Sequence, residues 1–345
     1  MLFLACLGGM VFQLLSIPIP WMLGPLVFVL IGQFFLRNLA WPHALRNSGM
    51  VLVGITIGQA FVVDVFLESN VAELIIYLVV LNISLLVFAF MLARLTQRWT
   101  GQSFMNALVC SIPGGLSQII MFAVEQKNID VAQVTYFHVI RVLAVVILIP
   151  FIISPHATES PTVPFVFTDV PALVMLVGVC VIGVPLAAFL RVPTPYILGP
   201  VIVVMVLKIY GVDLPVLPTT LQQLAQLCIG AYIGLLLKPH MLKLSPKVLI
   251  AGVLNAALLL LITYIGALLL MQALPIHFAT AFLATAPGGL DQMGILAAAV
   301  GASVSFVTLF QLVRIFFIFF VAMPIVQMMN RKALNTKNAS RLFNG

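Results

Sequence analysis

Pro113-Gly114-Gly115-Leu116-Ser117-Gln118 is a helix-breaking stretch that returns later in the chain as Pro287-Gly288-Gly289-Leu290-Asp291-Gln292. Three further segments recur in the same order and at nearly the same spacing, so the chain is a duplicated unit. These segments are 18–25 with 193–200, 54–58 with 230–234, and 134–141 with 307–314. In a membrane protein, Gly and Pro interruptions at corresponding positions of two halves are the best sequence indication of a transporter-type binding site.

The composition is that of a membrane protein. Hydrophobic residues make up 63% of the 345 residues and charged residues only 7%, whereas soluble domains carry roughly a quarter charged residues. The net charge of +7 comes from basic residues scattered between apolar runs. Because there is no dense basic patch to follow a phosphate backbone, we expect the lipid bilayer as a partner and no nucleic acid.

The cysteine and histidine residues form no metal-binding or disulfide pattern. The four cysteines lie far apart in apolar stretches, no Cys-x-x-Cys pair exists, and the five histidines are dispersed. We therefore predict no metal and no other cofactor. The cysteines are Cys6, Cys110, Cys180 and Cys228.

The charges of the loops indicate that the two halves have opposite orientations in the membrane. Lys and Arg accumulate in cytoplasmic loops, and segments 37–46, 94–98, 238–247 and the C-terminal tail are basic. Segments 64–73 and 154–169, in contrast, are acidic or lack Lys and Arg. The corresponding loops 64–73 and 238–247 then lie on opposite sides, which requires an odd number of crossings in each repeat.

We therefore predict an all-α polytopic membrane protein with inverted 5+5 transmembrane repeats and two re-entrant Pro-Gly-Gly hairpins, at 102–127 and 276–300. If these two segments crossed the membrane completely, loop 154–169 would lie in the cytoplasm, and the loop charges would no longer agree with inverted repeats. The apolar start is interpreted as a first span and not as a signal peptide. The predicted spans, of about 20 residues each, are 2–16, 21–36, 47–66, 73–93, 131–153, 170–190, 196–210, 221–237, 248–271 and 303–328. The predicted organisation is a first membrane repeat at 1–154, an extracytoplasmic linker at 155–169, a second, inverted repeat at 170–330 and a basic cytoplasmic tail at 331–345.

The two Pro-Gly-Gly breaks are the predicted substrate-binding site. A break at membrane depth must face protein or a watery cavity, and the half-helix that follows points its free N–H groups at that cavity. The alternative is a packing kink that binds nothing. The predicted substrate-binding residues at the breaks are Ser111, Pro113, Gly114, Gly115, Ser117, Gln118, Thr285, Pro287, Gly288, Gly289 and Gln292.

Two arginines lie in the middle of long apolar spans. A charge at bilayer depth costs at least ~2.5 kcal/mol, so Arg141 and Arg314 are candidate substrate-binding residues. His138 and Gln311 precede them by one helical turn and share their faces. The alternative is that each arginine only ties down carbonyl groups at a hairpin tip or pairs with an internal acid.

Asp291 breaks the symmetry of the repeats, because its counterpart is Ser117. A lone carboxylate beside a helix break is a candidate site for a coupling proton or sodium ion. The alternative is a permanent salt bridge with Arg314 or Arg141.

The repeated glycines and prolines favour structural roles. Gly54 and Gly58, like Gly230 and Gly234, have the small-xxx-small spacing that lets helices approach closely. We interpret this spacing as packing within the chain, with a homodimer seam as the lesser alternative. The elbows at 18–25 and 193–200 favour a tight turn over ligand contact.

The duplicated Pro-Gly-Gly-Leu-x-Gln elements, each followed by an intramembrane arginine, and the two Pro-x-Pro-x-x-Leu-Gly-Pro elbows resemble the AbrB-duplication family of bacterial membrane proteins. The resemblance extends from residue 18 to 324. Members are labelled ammonia monooxygenase or regulator of aidB-type expression, and the name is shared with an unrelated soluble DNA-binding regulator. The resemblance implies a polytopic inner-membrane protein, without supplying a substrate or a catalytic set.

The residues argue against the monooxygenase label. Oxygen activation by copper or iron needs a cluster of His, carboxylate or Cys ligands. His138 has no second histidine nearby in sequence, and the other copy has Gln311 instead. We therefore expect that the protein is not an enzyme.

Together these features predict a secondary transporter of a small anionic or polar solute, coupled to protons or sodium. We expect it in the bacterial inner (cytoplasmic) membrane with a cytoplasmic C-terminus. The alternative is a membrane sensor or regulatory protein on a transporter-like fold, which affects gene expression indirectly. Such a sensor would bind its ligand without moving it across sealed vesicles.

Overall fold

The computed structural model describes residues 1–36, 39–60, 71–126, 128–153, 164, 170–190, 192 and 194–331, with only the backbone for 71–73, 117 and 118. The described residues are helical and form no β-strand. Apart from residues 164 and 331, the predicted linker 155–169 and tail 331–345 lie outside this part of the chain.

The helices of the two halves correspond one to one along the described chain. In the first half they are α1 (Leu2–Leu14), α2 (Pro20–Phe35), α3 (His43–Ala60), α4 (Val71–Thr100), α5 (Phe104–Ser111), α6 (Leu116–Glu125) and α7 (Val131–Ile153). In the second half they are α8 (Val170–Phe189), α9 (Pro195–Ile209), α10 (Thr219–Gly234), α11 (Pro246–Ala273), α12 (Phe278–Thr285), α13 (Leu290–Ala299) and α14 (Val304–Phe317). A 3₁₀ turn at Pro239–Lys243 precedes α11, and after α14 a π turn at Ile318–Ala322 leads into helix that continues to residue 331.

Six helical segments of the described chain are long and apolar enough to cross a membrane, which indicates a membrane protein. They are Leu74–Thr100, Val131–Ile153, Val170–Phe189, Thr219–Lys243, Pro246–Ala273 and Val304–Arg331. Three other predicted spans are the shorter apolar helices α1, α2 and α9. At 13 residues, α1 is about 20 Å long, less than the bilayer core of about 30 Å.

Helices of the first half pack against helices of the second half. Helix α3 packs against α9 of the second half, while α10 packs against α2 of the first. Glycines allow both approaches: a Cβ on Gly54 would lie 2.5 Å from the carbonyl oxygen of Ile197, and one on Gly230 would collide with the carbonyl oxygen of Met22. Gly58 and Gly234 make the equivalent contacts one turn further on. The interpretation of these glycines as packing within the chain is therefore confirmed.

Both broken-helix pairs lie inside the protein. Residues 105–111 of α5 and all of α12 are buried, because α5 packs between α4 and α7, and α12 packs between α11 and α14. The pairs α6–α7 and α13–α14 are also in contact. The freed backbone groups at each break therefore face protein and not lipid.

The two ends of each broken pair lie close together. Asn106, near the start of α5, accepts a hydrogen bond from the backbone N–H of Asp130 at 2.8 Å and donates one to Gln133 at 2.9 Å. In the second half, the hydroxyl of Thr280 accepts a hydrogen bond from the backbone N–H of Ser303 at 3.0 Å. In each pair, the start of the first short helix therefore contacts the segment that follows the second short helix.

Candidate functional site

The prolines fix where the first helix of each pair ends. Ile112 and Ala286 directly precede Pro113 and Pro287 and adopt extended conformations, with ψ of 124° and 137°. The residue before a proline is sterically disfavoured in helical geometry, so α5 and α12 stop there. Helices α6 and α13 then begin at the glycine N-caps Gly115 and Gly289.

Arg141 of α7 forms hydrogen bonds with backbone carbonyl groups at the first break. Its guanidinium donates hydrogen bonds to the carbonyl oxygens of Ile112 at 3.2 Å and Gly114 at 2.7 Å. Only 4% of the residue is exposed, and its Nε has no hydrogen-bond partner among the described residues.

Arg314 of α14 makes more hydrogen bonds at the second break than Arg141 makes at the first. Its guanidinium donates to the carbonyl oxygens of Ala284 at 2.7 Å, Thr285 at 3.0 Å and also Ala286, and to the side chain of Gln311 at 3.2 Å. It is 3% exposed, and within the described chain its Nε is also without a partner. Both arginines therefore tie down tip carbonyl groups, which is one of the two roles considered from the sequence.

His138 and Gln311 occupy equivalent positions in the two halves, and each contacts a backbone carbonyl oxygen of the short helix that precedes the break. His138 Nε2 lies 2.9 Å from the carbonyl oxygen of Val109, so this nitrogen carries the proton. Gln311 donates to the carbonyl oxygens of Leu283 at 2.8 Å and Ala286 at 3.1 Å.

Ser111 and Thr285 lie behind the breaks and contact α11. Ser111 donates to the carbonyl oxygen of Ala107 at 2.8 Å and accepts from Asn255 at 2.9 Å. Thr285 donates to the carbonyl oxygen of Thr263 at 3.0 Å. Both side chains are fully buried, so these two predicted site residues secure the breaks against α11.

A cavity of about 120 Å³ lies between the two breaks. Ten of the predicted site residues line it: Pro113, Gly114, Gly115, Arg141, Gly288, Gly289, Asp291, Gln292, Gln311 and Arg314. Pro287, Ser111, Thr285 and His138 are not among the lining residues, and the side chains of Ser117 and Gln118 are outside the described part. The structure thus brings both tips and both buried arginines to one cavity.

Asp291 lies in the first turn of α13. Its carboxylate accepts a hydrogen bond from the Gln292 side chain at 3.1 Å. Gln292 in turn accepts from the backbone N–H of Gly289 at 2.7 Å. The hydrogen bonds of Arg141 and Arg314 go to carbonyl groups and to Gln311, and no salt bridge joins either to Asp291 among the described residues.

Three polar residues that line the cavity, Arg46, Thr194 and Tyr232, were not predicted as site residues. Arg46, at the start of α3, lies over the ring of Tyr232 with its Cζ 4.4 Å from the ring centroid, and its charge acts on Asp291. Thr194 forms the elbow before α9 with φ of 50° and ψ of 59°, a rare conformation for a β-branched residue. The Thr194 hydroxyl is buried without a partner in the described chain. Arg46 belongs to a basic loop and Thr194 to a repeated elbow, which were the available sequence signals.

The cavity has the chemistry of an anion site. Three guanidinium groups, those of Arg46, Arg141 and Arg314, line the cavity together with the carboxylate of Asp291, and guanidinium groups suit carboxylate or phosphate oxygens. In the described residues, no group of three or more His, Cys, Asp or Glu side chains is arranged to hold a metal ion.

Fold and site define the class of protein: an all-helical membrane protein with a duplicated, helix-broken core. The chain belongs to the AbrB family, whose model, described as "Transition state regulatory protein AbrB", matches residues 1–330. It is 23% identical over 350 residues to "Uncharacterized protein YhjN" of Bacillus subtilis (strain 168), covering 94% of this chain and 90% of the relative. It is 26% identical over 310 residues to "Putative regulator AbrB" of Escherichia coli (strain K12), covering 88% of each chain. No solved structure matches this chain.

Proposed function

We propose that the protein is a secondary transporter that carries a small anionic or polar solute through the cavity between the two Pro-Gly-Gly breaks. The observation that carries this proposal is the convergence of both breaks and three guanidinium groups on one cavity. A binding site formed by broken helices at the interface of two repeats is the arrangement used by many secondary transporters.

The proposed topology is an inverted 5+5 arrangement in the bacterial inner membrane, with two re-entrant hairpins and a cytoplasmic C-terminus. The meeting of Asn106 with Asp130, and of Thr280 with Ser303, supports hairpins that return to the side they entered from. The exchange of contacts between α3 and α9 and between α10 and α2 supports two halves related by a two-fold operation.

A second cavity supports alternating access. It is lined by residues near the end of α3 and the start of α10, including Gln59, Asp213 and Gln222. Gly294 of α13 packs so closely on Ile57 of α3 that an added Cβ would collide with it. We propose that α13 moves relative to α3 when access changes from one cavity to the other.

Asp291 is the proposed coupling residue for a proton or sodium ion, because it is the carboxylate that lines the cavity. The proposal includes no catalytic step. The alternative is a sensor that binds the same solute without transport, and the name of the E. coli relative, "Putative regulator AbrB", favours it. The use of Arg141 and Arg314 to fasten backbone carbonyl groups is compatible with either function.

Uptake of radiolabelled butyrate, succinate and phosphate into sealed proteoliposomes tests the proposal, with and without gradients of protons and sodium and against protein-free vesicles. Arg46→Gln should lower specific uptake at least tenfold. Arg94→Gln is the matched control, because Arg94 also stacks on a ring, with its Cζ 4.4 Å from the centroid of Phe104, outside the cavity. Binding without uptake of any of these anions would favour the sensor.

A further inference from the structure

Three cavities follow one another along a single face of α3. They are the cavity between the breaks, a small cavity of about 10 Å³ and the second cavity, of about 440 Å³. The residues of α3 that line them in this order include Arg46, Met50, Val53, Thr56 and Ala60. Because these residues are spaced by three or four positions, they form one stripe on the helix. At 1.5 Å per residue the stripe is about 21 Å long.

Helices α10 and α13 contribute residues to the same cavities in the same order. On α10, Tyr232 lines the cavity between the breaks, Gln226 lines the small cavity, and Gln222 lines both the small and the second cavity. On α13, Asp291 lines the cavity between the breaks, and Gly294, one turn later, lines the small cavity. The small cavity therefore lies between the two larger ones, and α3, α10 and α13 enclose a route that joins them.

The route is closed where α13 meets α3. A Cβ added to Gly294 would lie 3.0 Å from Cγ1 of Ile57 and would collide with the end of that side chain, which is fully buried. The small cavity of about 10 Å³ has room for about one water molecule. A solute of several non-hydrogen atoms cannot pass while α13 and α3 remain in this contact.

The walls of the small cavity are partly polar. Thr56, Gln222 and Gln226 line it. The Thr56 hydroxyl donates to the carbonyl oxygen of Leu52 at 3.1 Å, and the Gln222 amide donates to that of Leu217 at 2.9 Å. Hydroxyl and amide groups can make several hydrogen bonds each. These side chains can therefore replace part of the water around a solute that passes them.

The other half of the chain shows that the fold does not depend on the contact between α13 and α3. Ile120 of α6 and Ile233 of α10 stand at the positions equivalent to Gly294 and Ile57. Within the described chain, α13 packs against α3, whereas α6 and α10 are not among the extensively packed helix pairs. The same pair of elements thus occurs once in contact and once apart, which are the two arrangements that a gate needs.

Helix α13 has glycines at both of its ends. Gly288 and Gly289 precede it, and Gly301, with φ of 66°, follows it. Conformational changes in proteins are absorbed by a few residues at the ends of elements, and glycine adopts the widest range of backbone angles. The 10 residues of α13 can therefore change direction as one unit.

We propose that the solute moves between the two larger cavities past Thr56, Gln222 and Gln226, and that the contact of Gly294 with Ile57 is the gate that closes this route. This inference rests on the proposed function, because it assigns the path and the gate of the same cavity. The gate opens when α13 moves away from α3.

A disulfide across the gate tests this inference. The distance of 3.0 Å to Cγ1 of Ile57 and one carbon–carbon bond of about 1.5 Å put the two Cβ atoms at most about 4.5 Å apart, within the range for a disulfide. With the four native cysteines replaced by alanine, the gate pair Ile57→Cys and Gly294→Cys should crosslink on oxidation and hold the gate closed. Ile57→Cys with Gly294→Ala is the matched control, because it has a single thiol and cannot crosslink.

The readout is the reaction of a third cysteine with a small, impermeant methanethiosulfonate added outside cells, with the modified site identified by mass spectrometry. Leu236→Cys lies in the cavity between the breaks, beyond the gate, and should react at least tenfold more slowly after oxidation of the gate pair. Gln222→Cys lies on the outer side of the gate and should react equally before and after oxidation. Reduction should restore the reaction of Leu236→Cys, and oxidation of the control should leave it unchanged.

Three outcomes would overturn the inference. They are a gate pair that does not crosslink, equal reaction of Leu236→Cys in the oxidised and reduced gate pair, and no reaction of Leu236→Cys from outside in either state. Uptake of butyrate, succinate and phosphate into proteoliposomes separates these results from a failure of the proposed function. Uptake that continues after crosslinking would place the path elsewhere and leave the proposed function intact. No uptake of any of the three anions by the cysteine-free protein would contradict the proposed function, while a crosslink-dependent reaction of Leu236→Cys would still support the gate.

Discussion

At the scale of single residues, the two buried arginines differ in how much structure depends on them. Arg314 bonds three carbonyl oxygens and Gln311, whereas Arg141 bonds two carbonyl oxygens. Each charge-assisted hydrogen bond contributes about 1.5–3 kcal/mol. Arg141→Gln, which loses two such bonds, should therefore destabilise the protein by about 3–6 kcal/mol, and Arg314→Gln, which loses four, should destabilise it by more.

Differential scanning fluorimetry in detergent can show which of the two variants loses more stability. The melting temperature should fall more for Arg314→Gln than for Arg141→Gln. If both variants melted like wild type and lost only ligand binding, the arginines would act on the ligand and not on the breaks.

His138 offers a substitution that the chain has already made in its other half. Gln311 bonds the carbonyl oxygen of Leu283 as His138 bonds that of Val109. His138→Gln should therefore change the free energy of unfolding by less than about 1 kcal/mol, whereas His138→Leu should cost about 1–3 kcal/mol because a buried carbonyl loses its donor. Chemical denaturation of the two variants decides this, and equal losses would show that the imidazole ring has another role.

At the scale of elements, the sequence predicts the helix breaks better than the orientation of the side chains around them. Proline and glycine act through local backbone geometry, so the ends of α5 and α12 could be placed from sequence alone. The direction of Ser111 and Thr285 depends on how α11 packs against these short helices, which local sequence does not encode. The Arg46–Tyr232 contact joins distant segments through the packing of α3 against α10, and for that reason it was missed.

The exchanged helix contacts give a prediction at this scale. Gly54→Ala would bring a Cβ to 2.5 Å from the carbonyl oxygen of Ile197, a backbone atom that cannot move without shifting α9. Overpacking of this kind costs about 1–3 kcal/mol. Gly178→Ala in α8 is the matched control, since its Cβ would have no neighbour within 4 Å and alanine favours helix by about 1 kcal/mol.

Thermal melts of the two alanine variants should therefore move in opposite directions. Gly230→Ala, at the equivalent position of α10, should behave like Gly54→Ala because its Cβ would meet the carbonyl oxygen of Met22. A neutral Gly54→Ala would mean that α3 and α9 are further apart than the structure has them.

At the scale of the whole molecule, duplication was evident in the sequence, while the way the halves combine was not. Repeated motifs give the order of the elements, but the packing of α3 on α9 and of α10 on α2 is a contact between halves. The polar cluster of Gln126, Asn128 and Asn330 is another such contact. It brings the end of α6 next to the last helix, with Asn128 and Asn330 2.7 Å apart.

This cluster leads to a prediction about membrane sidedness. If 102–127 is a re-entrant hairpin, then the end of α4, the end of α6 and the end of the last helix all lie on the cytoplasmic side. Cysteines introduced by Arg98→Cys, Glu125→Cys and Arg331→Cys, at exposed positions, should react with an impermeant maleimide only from the cytoplasm. Cysteines from Asp213→Cys and Gln272→Cys, also exposed, should react only from outside.

The experiment needs a background in which the four native cysteines are replaced by alanine, and each variant should retain the wild-type melting profile. Glu125→Cys is the decisive position, because a full crossing by α5 and α6 would put it on the side opposite to Arg98→Cys. Labelling of Glu125→Cys from outside would therefore exclude the hairpin. It would also place residue 128 and residue 330 on opposite faces of the membrane, which their hydrogen bond does not allow. Labelling of Glu125→Cys from the cytoplasm would mean that the first half crosses the membrane an odd number of times. A duplicate that follows an odd number of crossings has the opposite orientation in the membrane, so the two repeats would be inverted.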